Sequence, residues 1–282
     1  MKTKNHWKST ARKAIREINK TPLAGACMFL LDAAYMIHYR LLGDARIKEE
    51  ERENVEQNVT FIFKSFNRQK MAKRLYHSIK AYFPNAEIII ADDSAEPLEI
   101  PGAHIIHLPF NSGLSKGLIA ALNEVKTEYV MRLDDDLLLA PKSNVHGQLR
   151  FLQAHPEVDL TAIQMSTHPE KSAAGYSRIK MNKQLIIPAG TVIDGRIVAY
   201  KTSNCFLART EKLRLVGYDP NIRMIDHHEF FYRAAGVIVA VQDTHAYAFH
   251  CHNYFDRDYL KYRNDTDGDS AYIRQKHMSA RR

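Results

Sequence analysis

From residue 59 onward the chain alternates short apolar runs with stretches whose apolar residues recur at helical spacing. Val59-Thr60-Phe61-Ile62-Phe63 is the first run, and a strand without polar alternation is one covered on both faces. Residues 69–83 place Met71, Leu75, Ile79 and Tyr82 at helical spacing and stop at Pro84. Residues 87–91 and 104–108 read as two more strands, the second closed by Pro109. A helix over residues 114–125 then leads to the strand Tyr129-Val130-Met131-Arg132-Leu133. This alternation predicts an α/β fold: a mostly parallel, Rossmann-like sheet flanked by helices. Ahead of it, Trp7, Ala11, Ala14, Ile15 and Ile18 recur at helical spacing among Lys2, Lys4, Lys8, Arg12, Lys13, Arg16 and Lys20, with Glu17 the single acid. That is a basic amphipathic helix. A second helical stretch runs to about residue 42, and residues 44–57 read as a charged, solvated helix or linker. Three parts are therefore expected: an N-terminal helical extension over 1–57, a main domain over 58–252, and a charged tail over 253–282 that reads as a solvated helix, the alternative being a cap over the acceptor site.

Composition narrows the partners. With 282 residues, 45% hydrophobic and 26% charged, the chain has ample length for a buried core. A net charge of +8 favours anionic partners such as nucleotide-sugar phosphates or acidic lipid. Nucleic acid is set aside, because the basic residues are not gathered with aromatics in any recognisable module. Cys27, Cys205 and Cys251 are too widely spaced for a disulfide framework or a zinc motif, which points to a reducing compartment. The apolar stretch from Leu23 to Leu31 is too short to span a bilayer, and no signal peptide is read. These features predict a cytoplasmic protein, peripheral at the inner face of a bacterial membrane. Its N-terminal helices are a surface for lipid or for a homo-oligomer.

The chemistry collects at strand ends. Lys64-Ser65-Phe66-Asn67-Arg68, Asp92-Asp93-Ser94 and Asp134-Asp135-Asp136 each follow a strand, and in an open α/β sheet those ends converge on one crevice. Clustered carboxylates repel one another unless a cation neutralises one set and hydrogen-bond donors satisfy another. Mg²⁺ or Mn²⁺ accepts such oxygen ligands and keeps positions free for phosphate. Asn111-Ser112-Gly113-Leu114-Ser115-Lys116-Gly117 opens a helix with a Lys beside it. It is neither a Walker loop nor a dinucleotide fingerprint.

The order strand, Asp-Asp-Ser, Asn-x-Gly loop, Leu-Asp-Asp-Asp resembles the nucleotide-sugar half of GT-A-fold glycosyltransferases. Downstream, residues 203–220 and Asp226-His227-His228-Glu229-Phe230-Phe231-Tyr232-Arg233 are similar to the segment around their catalytic acid. The pattern most resembles the β1,4-N-acetylgalactosaminyltransferases that build gangliosides, together with bacterial polysaccharide transferases, over residues 59–252. The resemblance implies an inverting enzyme that moves N-acetylgalactosamine, galactose or a similar sugar from a UDP-sugar to a glycan or glycolipid, in capsule or lipopolysaccharide synthesis. It implies that Ser65, Phe66 and Arg68 border the nucleobase, that Asp92 and Asp93 contact uracil or ribose, and that Asn111 and Lys116 help hold the nucleotide. Asp134 and Asp136 form its Asp-x-Asp element, Asp136 as the direct ligand and Asp134 nearer the ribose and metal, with His250 completing a Mn²⁺ or Mg²⁺ site. Glu229 is the favoured base and Asp226 its runner-up, since His227 stands where an Asp is common. Two other readings remain. A sugar nucleotidyltransferase is disfavoured by the lack of glycine in the loop after the first strand, and the other is a non-catalytic nucleotide- or membrane-binding protein, whose membrane contact is equally compatible with the enzyme.

Overall fold

The computed structural model describes residues 13–44, 46–166 and 183–279, so the first twelve residues of the basic N-terminal helix lie outside the described residues; Lys13–Ile18 are helical. Helix α1 (Leu23–Leu41) is followed by α2 (Glu49–Asn58), which runs directly into strand β1 (Val59–Ser65). Then come α3 (Gln69–Tyr82), β2 (Glu87–Asp92), β3 (His104–His107), α4 (Leu114–Glu124) and β4 (Tyr129–Asp134). These match the sequence expectations, and the reason is visible in the core. Phe61 and Phe63 pack on one face of β1 with Leu75, Ile79 and Phe83, while Ile62 packs on the other with Leu118 and Leu122. A strand buried on both sides reads as a continuous apolar run.

The second half is less regular. A two-residue strand β5 (Leu137–Leu138) leads through a 3₁₀ turn (Pro141–Ser143) to α5 (Val145–Ala154) and β6 (Leu160–Ser166). Short strands β7 (Val192–Ile193) and β8 (Arg196–Val198) precede β9 (Cys205–Arg209), α6 (Thr210–Val216), α7 (Asp226–Ala234) and the long β10 (Ala240–His250). Helices α8 (Arg257–Arg263) and α9 (Asp267–Ser279) end the chain.

The strands form one sheet in the order β3-β2-β1-β4-β9-β6-β10-β8-β7, with β5 paired to β10. Strands β3, β2, β1 and β4 are parallel. The expectation of a mostly parallel sheet holds for that half only. Beyond β4, β9 runs antiparallel to both β4 and β6, and the sheet as a whole is mixed. β6 and β10 again point the same way as β4, since β10 pairs parallel with β6. From β1 the chain winds outward to β2 and β3, then crosses back to β4 on β1's other side. That reversal is a topological switch point, where open α/β sheets bind ligands beyond the carboxyl ends of their strands.

Both chain extensions are seated on this sheet. On the inner face of α1, Tyr35, Met36 and Tyr39 pack with Leu138, Phe249 and Cys251, and Asp32 pairs with Lys70 and Arg74. Val55 of α2 is in the main core. The charged tail, read from sequence as a solvated helix, instead lies across the crevice. Its Tyr side chains contact the strand-end loops and its Lys276 pairs with Asp219 and Glu229.

Candidate functional site

Register aligns the strand ends. Ser65 of β1 stands opposite Asp92 of β2, and Lys64 opposite Asp134 of β4. The first two loops are then laced together: the Asn67 N–H donates to Ser94 Oγ at 2.7 Å, and the Ala95 N–H to Asn67 Oδ1 at 2.9 Å. Asn67 and Asn111 both adopt left-handed backbone (φ 52° and 56°), a conformation Asn tolerates better than most residues.

Asp92 and Asp93 are spent on this scaffold. Asp92 accepts from Ser94 Oγ at 2.6 Å and from the Leu98 N–H at 2.8 Å. Asp93, fully buried, accepts from the Gly113 N–H at 2.9 Å and pairs with Lys64 Nζ at 2.5 Å. Burial lowers the Lys64 pKa against the pull of Asp93. Two glycines make this possible. A Cβ on Gly117 would sit 2.5 Å from Lys64 Cγ, and Gly113 has φ +102° with its Cβ position 3.0 Å from Arg223 Cα. Gly117 therefore serves close packing of α4 on β1, and Gly113 the close approach of Arg223. Lys116 is exposed on the first turn of α4, and Asn111 is half-buried with its N–H donated to the Asp93 carbonyl.

The triple acid separates into three roles. Asp134 Oδ1 lies 2.8 Å from the Arg132 guanidinium, which is 1% exposed and also donates to the Asn204 carbonyl at 2.6 Å. Residues 132 and 134 alternate onto one face of β4, which is why they meet. Asp135 takes Arg68 through a two-point pair, and Asp136 accepts from Arg68 at 3.1 Å. Arg68, expected from the resemblance beside a nucleobase, thus neutralises the acidic edge. Burial pushes Asp135 up to about 6 despite Arg68, whereas Arg68 and His250 overcome burial and hold Asp136 well below the usual carboxylate range.

Strand β5 brings in the histidines. Leu137 and Leu138 pair antiparallel with His250 and Phe249 at the end of β10, and the Cys251 N–H donates to the Asp136 carbonyl at 2.8 Å. His250 Nε2 then lies 3.5 Å from Asp136 Oδ1. Ligand atoms of Asp136, His250 and His252 all fall within 4.8 Å of one another, so one ion fits among them. Burial lowers the His250 pKa, but Asp136 reverses this and raises it overall; burial and His250 bring His252 down to about 4, a neutral imidazole. Asp134, expected as a ligand, is turned to Arg132, while His252, given no site role from the sequence, joins the cluster. Its spacing from His250, two apart, is the signal that could have found it. A cavity of about 300 Å³ opens beside these histidines, bordered also by Tyr35, Met165, Ser166 and Tyr254.

The two base candidates sit differently on α7. Asp226, the first residue of the helix, is buried, and burial pushes it up to about 6 against the nearby Arg132. Its neighbour His227 is half-buried and held neutral, bonded to the Thr202 carbonyl at 2.8 Å. Glu229 faces away into an ion cluster. Arg233 Nε lies 2.7 Å from it, Lys276 Nζ 2.7 Å and His277 Nε2 3.4 Å. Burial raises its pKa, but the bonds from Arg233 and Lys276 outweigh that and hold it below the usual range. Arg233 continues to the Val216 and Gly217 carbonyls, so Glu229 ties α7 to α6 and α9.

The tail closes the crevice. Arg68 lies under the Tyr259 ring at 3.9 Å, and Tyr262 meets Phe66 edge-on at 5.1 Å and Phe110 at 6.0 Å. Asp269 accepts from the N–H groups of Arg223, Met224 and Ile225 at 2.7–3.1 Å, fixing the turn that delivers Asp226. Losing a carboxylate acceptor shared by three part-buried N–H groups costs on the order of 1–3 kcal/mol in all. Asp269→Ala is therefore expected to lower the thermal midpoint by several degrees in scanning calorimetry, and an unchanged midpoint would count against this anchor.

A mixed sheet with a switch point, an acidic edge on β4 and a carboxylate–imidazole cluster defines the class. Residues 60–217 match the model of glycosyl transferase family 2, and the chain belongs to that family. Among its relatives, beta-1,4 N-acetylgalactosaminyltransferase 2 of Mus musculus is 34% identical over 185 residues, covering 63% of this chain and 36% of the relative. Beta-1,4 N-acetylgalactosaminyltransferase 1 of Mus musculus is 30% identical over 219 residues, covering 71% and 40%. The chain thus spans well under half the length of the curated relatives it matches. Among solved structures it is similar to residues 1–349 of S. aureus TarS, with a TM-score of 0.50 and 18% identity over 68% of this chain and 60% of that one. TarS 1–349 in complex with UDP-GlcNAc gives 0.50 and 16%, over 73% and 64%. These likenesses establish the GT-A type of fold.

Proposed function

We propose that the protein is a divalent-metal-dependent, inverting glycosyltransferase that moves a sugar, N-acetylgalactosamine, galactose or a close analogue, from a UDP-sugar to a glycan or glycolipid acceptor. The observation that carries this reading is the meeting of Asp136, His250 and His252 at the edge where β4 and β10 end, next to the β1–β4 switch point. Its N-acetylgalactosaminyltransferase relatives and the UDP-GlcNAc complex of TarS support the choice of sugar and nucleotide.

Asp136, His250 and His252 would hold the ion. A mixed nitrogen and oxygen set suits Mn²⁺ better than Mg²⁺, which prefers an all-oxygen shell. The ion would stabilise the charge that develops on the departing diphosphate. Arg68 holds the acidic edge together by pairing with Asp135 and Asp136, and the aromatic group of Phe66, Phe110 and Tyr262 offers flat faces to a nucleobase. Asp226 is the base in this reading. It takes the acceptor hydroxyl proton as that oxygen bonds the anomeric carbon and the bond to UDP breaks, releasing UDP with inversion. Preference thereby moves from Glu229 to Asp226, because Glu229 is committed to two cations, Arg233 and Lys276, whereas Asp226 lies close to Arg132 and Asp134 with a raised pKa.

Calorimetric titration of UDP with and without Mn²⁺ tests the reading. The expected result is binding that strengthens at least about tenfold with the ion, followed by Mn²⁺-dependent UDP release from one member of a UDP-sugar panel. Absence of UDP binding in both conditions would overturn it.

A further inference from the structure

Five of the eleven exposed large hydrophobic residues among the described residues lie on one helix, α1. At about 100° per residue, Leu23, Ala26, Leu30, Ala34, Ile37 and Leu41 fall within roughly 80° of one another. All six are exposed, with Leu23, Leu30, Ile37 and Leu41 at 61–79%. Phe29, 69% exposed, borders this stripe. The opposite face is already used, since Tyr35 and Tyr39 pack on Phe249 and Asp32 is held by Lys70 and Arg74. The helix therefore shows an unbroken apolar ridge about 28 Å long, with no acid on its outward side.

Charge selects the occupant. Lys13, Arg16 and Lys20 are exposed on the approach to α1, Arg40 is exposed near its end, and the sequence ahead adds Lys2, Lys4, Lys8 and Arg12. Glu17 is the single acid before Asp32. Pairing two copies through this ridge would bring like-charged segments together. An anionic lipid surface neutralises them and takes up the ridge at once. Among the described residues no helix is long and apolar enough to cross a membrane, so the geometry suits a helix lying in the interface plane.

We propose that α1 seats the protein on an anionic phospholipid surface through the Leu23–Leu41 ridge. Sequence patterning left both N-terminal helices open to lipid or to a homo-oligomer; here the basic segment supplies charge and α1 supplies the apolar contact. Tyr35 on the same helix donates to the His252 carbonyl at 3.1 Å and borders the histidine cavity. Docking would thus hold the cavity near the lipid and favour a lipid-borne acceptor. That extension rests on the glycosyl-transfer reading, whereas the docking does not.

The test is co-sedimentation of the full chain with vesicles of phosphatidylcholine alone or with 30% phosphatidylglycerol, in low and high salt. Partition onto the anionic vesicles is expected to exceed that onto neutral ones at least about tenfold and to fall with salt. The double variant L30E/I37E, which alters only exposed positions, should lose about tenfold or more of that partition. The charge-reversed K13E/R16E/K20E should respond less to lipid charge. Far-UV circular dichroism and Mn²⁺-dependent UDP binding, measured on the same variants, should stay unchanged. Equal partition of L30E/I37E and wild type would overturn the proposal. So would a concentration-dependent dimer, seen by sedimentation velocity without lipid and abolished by L30E/I37E. Loss of UDP binding in the wild-type protein would count against the donor-site reading and leave the docking untouched.

Discussion

Asp226→Asn is expected to lower kcat by about 10²–10⁴-fold, the usual range for removing a general base, while UDP affinity stays within about threefold. Asn keeps the size and much of the hydrogen bonding of the buried carboxyl, so the fold should survive. The wild-type pH profile of kcat/KM supplies a second readout. Burial pushes the Asp226 pKa up to about 6, and a base works only when deprotonated. The rate should therefore fall about tenfold per unit as pH drops below 6 and level off above it. Glu229→Gln is the necessary contrast. It removes the buried charge that half-buried Arg233 and Lys276 pair with, leaving those cations less well compensated, and its cost should appear as lost stability. The folded fraction of that variant should turn over within about tenfold of wild type. A folded, stable Glu229→Gln protein without turnover, together with an active Asp226→Asn, would reverse the assignment.

The contrast between these two acids also shows what was legible in the sequence. Glu229 and Arg233 stand four apart on a helix, a spacing that predicts an ion pair. Reading the segment by its likeness to a catalytic motif hid that pairing. The first half of the sheet was legible because β1, β2 and β4 are buried on both faces and their helices stop at clear breakers such as Pro84. The second half was not. β5, β7 and β8 are two or three residues long, and β9 enters between β4 and β6 from far along the chain. No local period encodes such a placement. Site positions fared likewise. The approach of Asp136 to His250 followed from the resemblance, but its cause, the β5–β10 pairing, is a tertiary event. Asp92 and Asp93 carried the right location at a strand end, yet their oxygens satisfy Ser94, Leu98, Gly113 and Lys64. For the tail, a cap was the less favoured of two readings because its charge was weighed over its aromatics. Tyr259 and Tyr262, three apart, share one helix face, and both rings meet the strand-end loops.

Asp136→Ala is expected to abolish the Mn²⁺-dependent part of UDP binding and to reduce turnover by about 10³-fold or more. Asp136 is the sole carboxylate of the candidate ion cluster, and its removal leaves only His250 and His252. A loss of at least about 100-fold in metal affinity follows from deleting a ligand, given that second-shell changes alone cost 10–100-fold. The same substitution frees one arm of Arg68, which keeps its pair with Asp135. Two effects are therefore superposed, and metal titration separates them. If Asp136 acts through the ion, UDP binding in the variant should equal the metal-free binding of the wild type and ignore added Mn²⁺. If it acts only by holding Arg68, metal-free binding should change as well, and added Mn²⁺ should still strengthen it. Electron paramagnetic resonance of Mn²⁺ reads the ion directly. Protein-bound signal in the wild type that disappears in Asp136→Ala and weakens in His252→Ala would support the three-residue site. His252→Ala binding Mn²⁺ as tightly as wild type would return the ligand set to Asp136, His250 and Asp134, with Asp134 leaving Arg132 to bind.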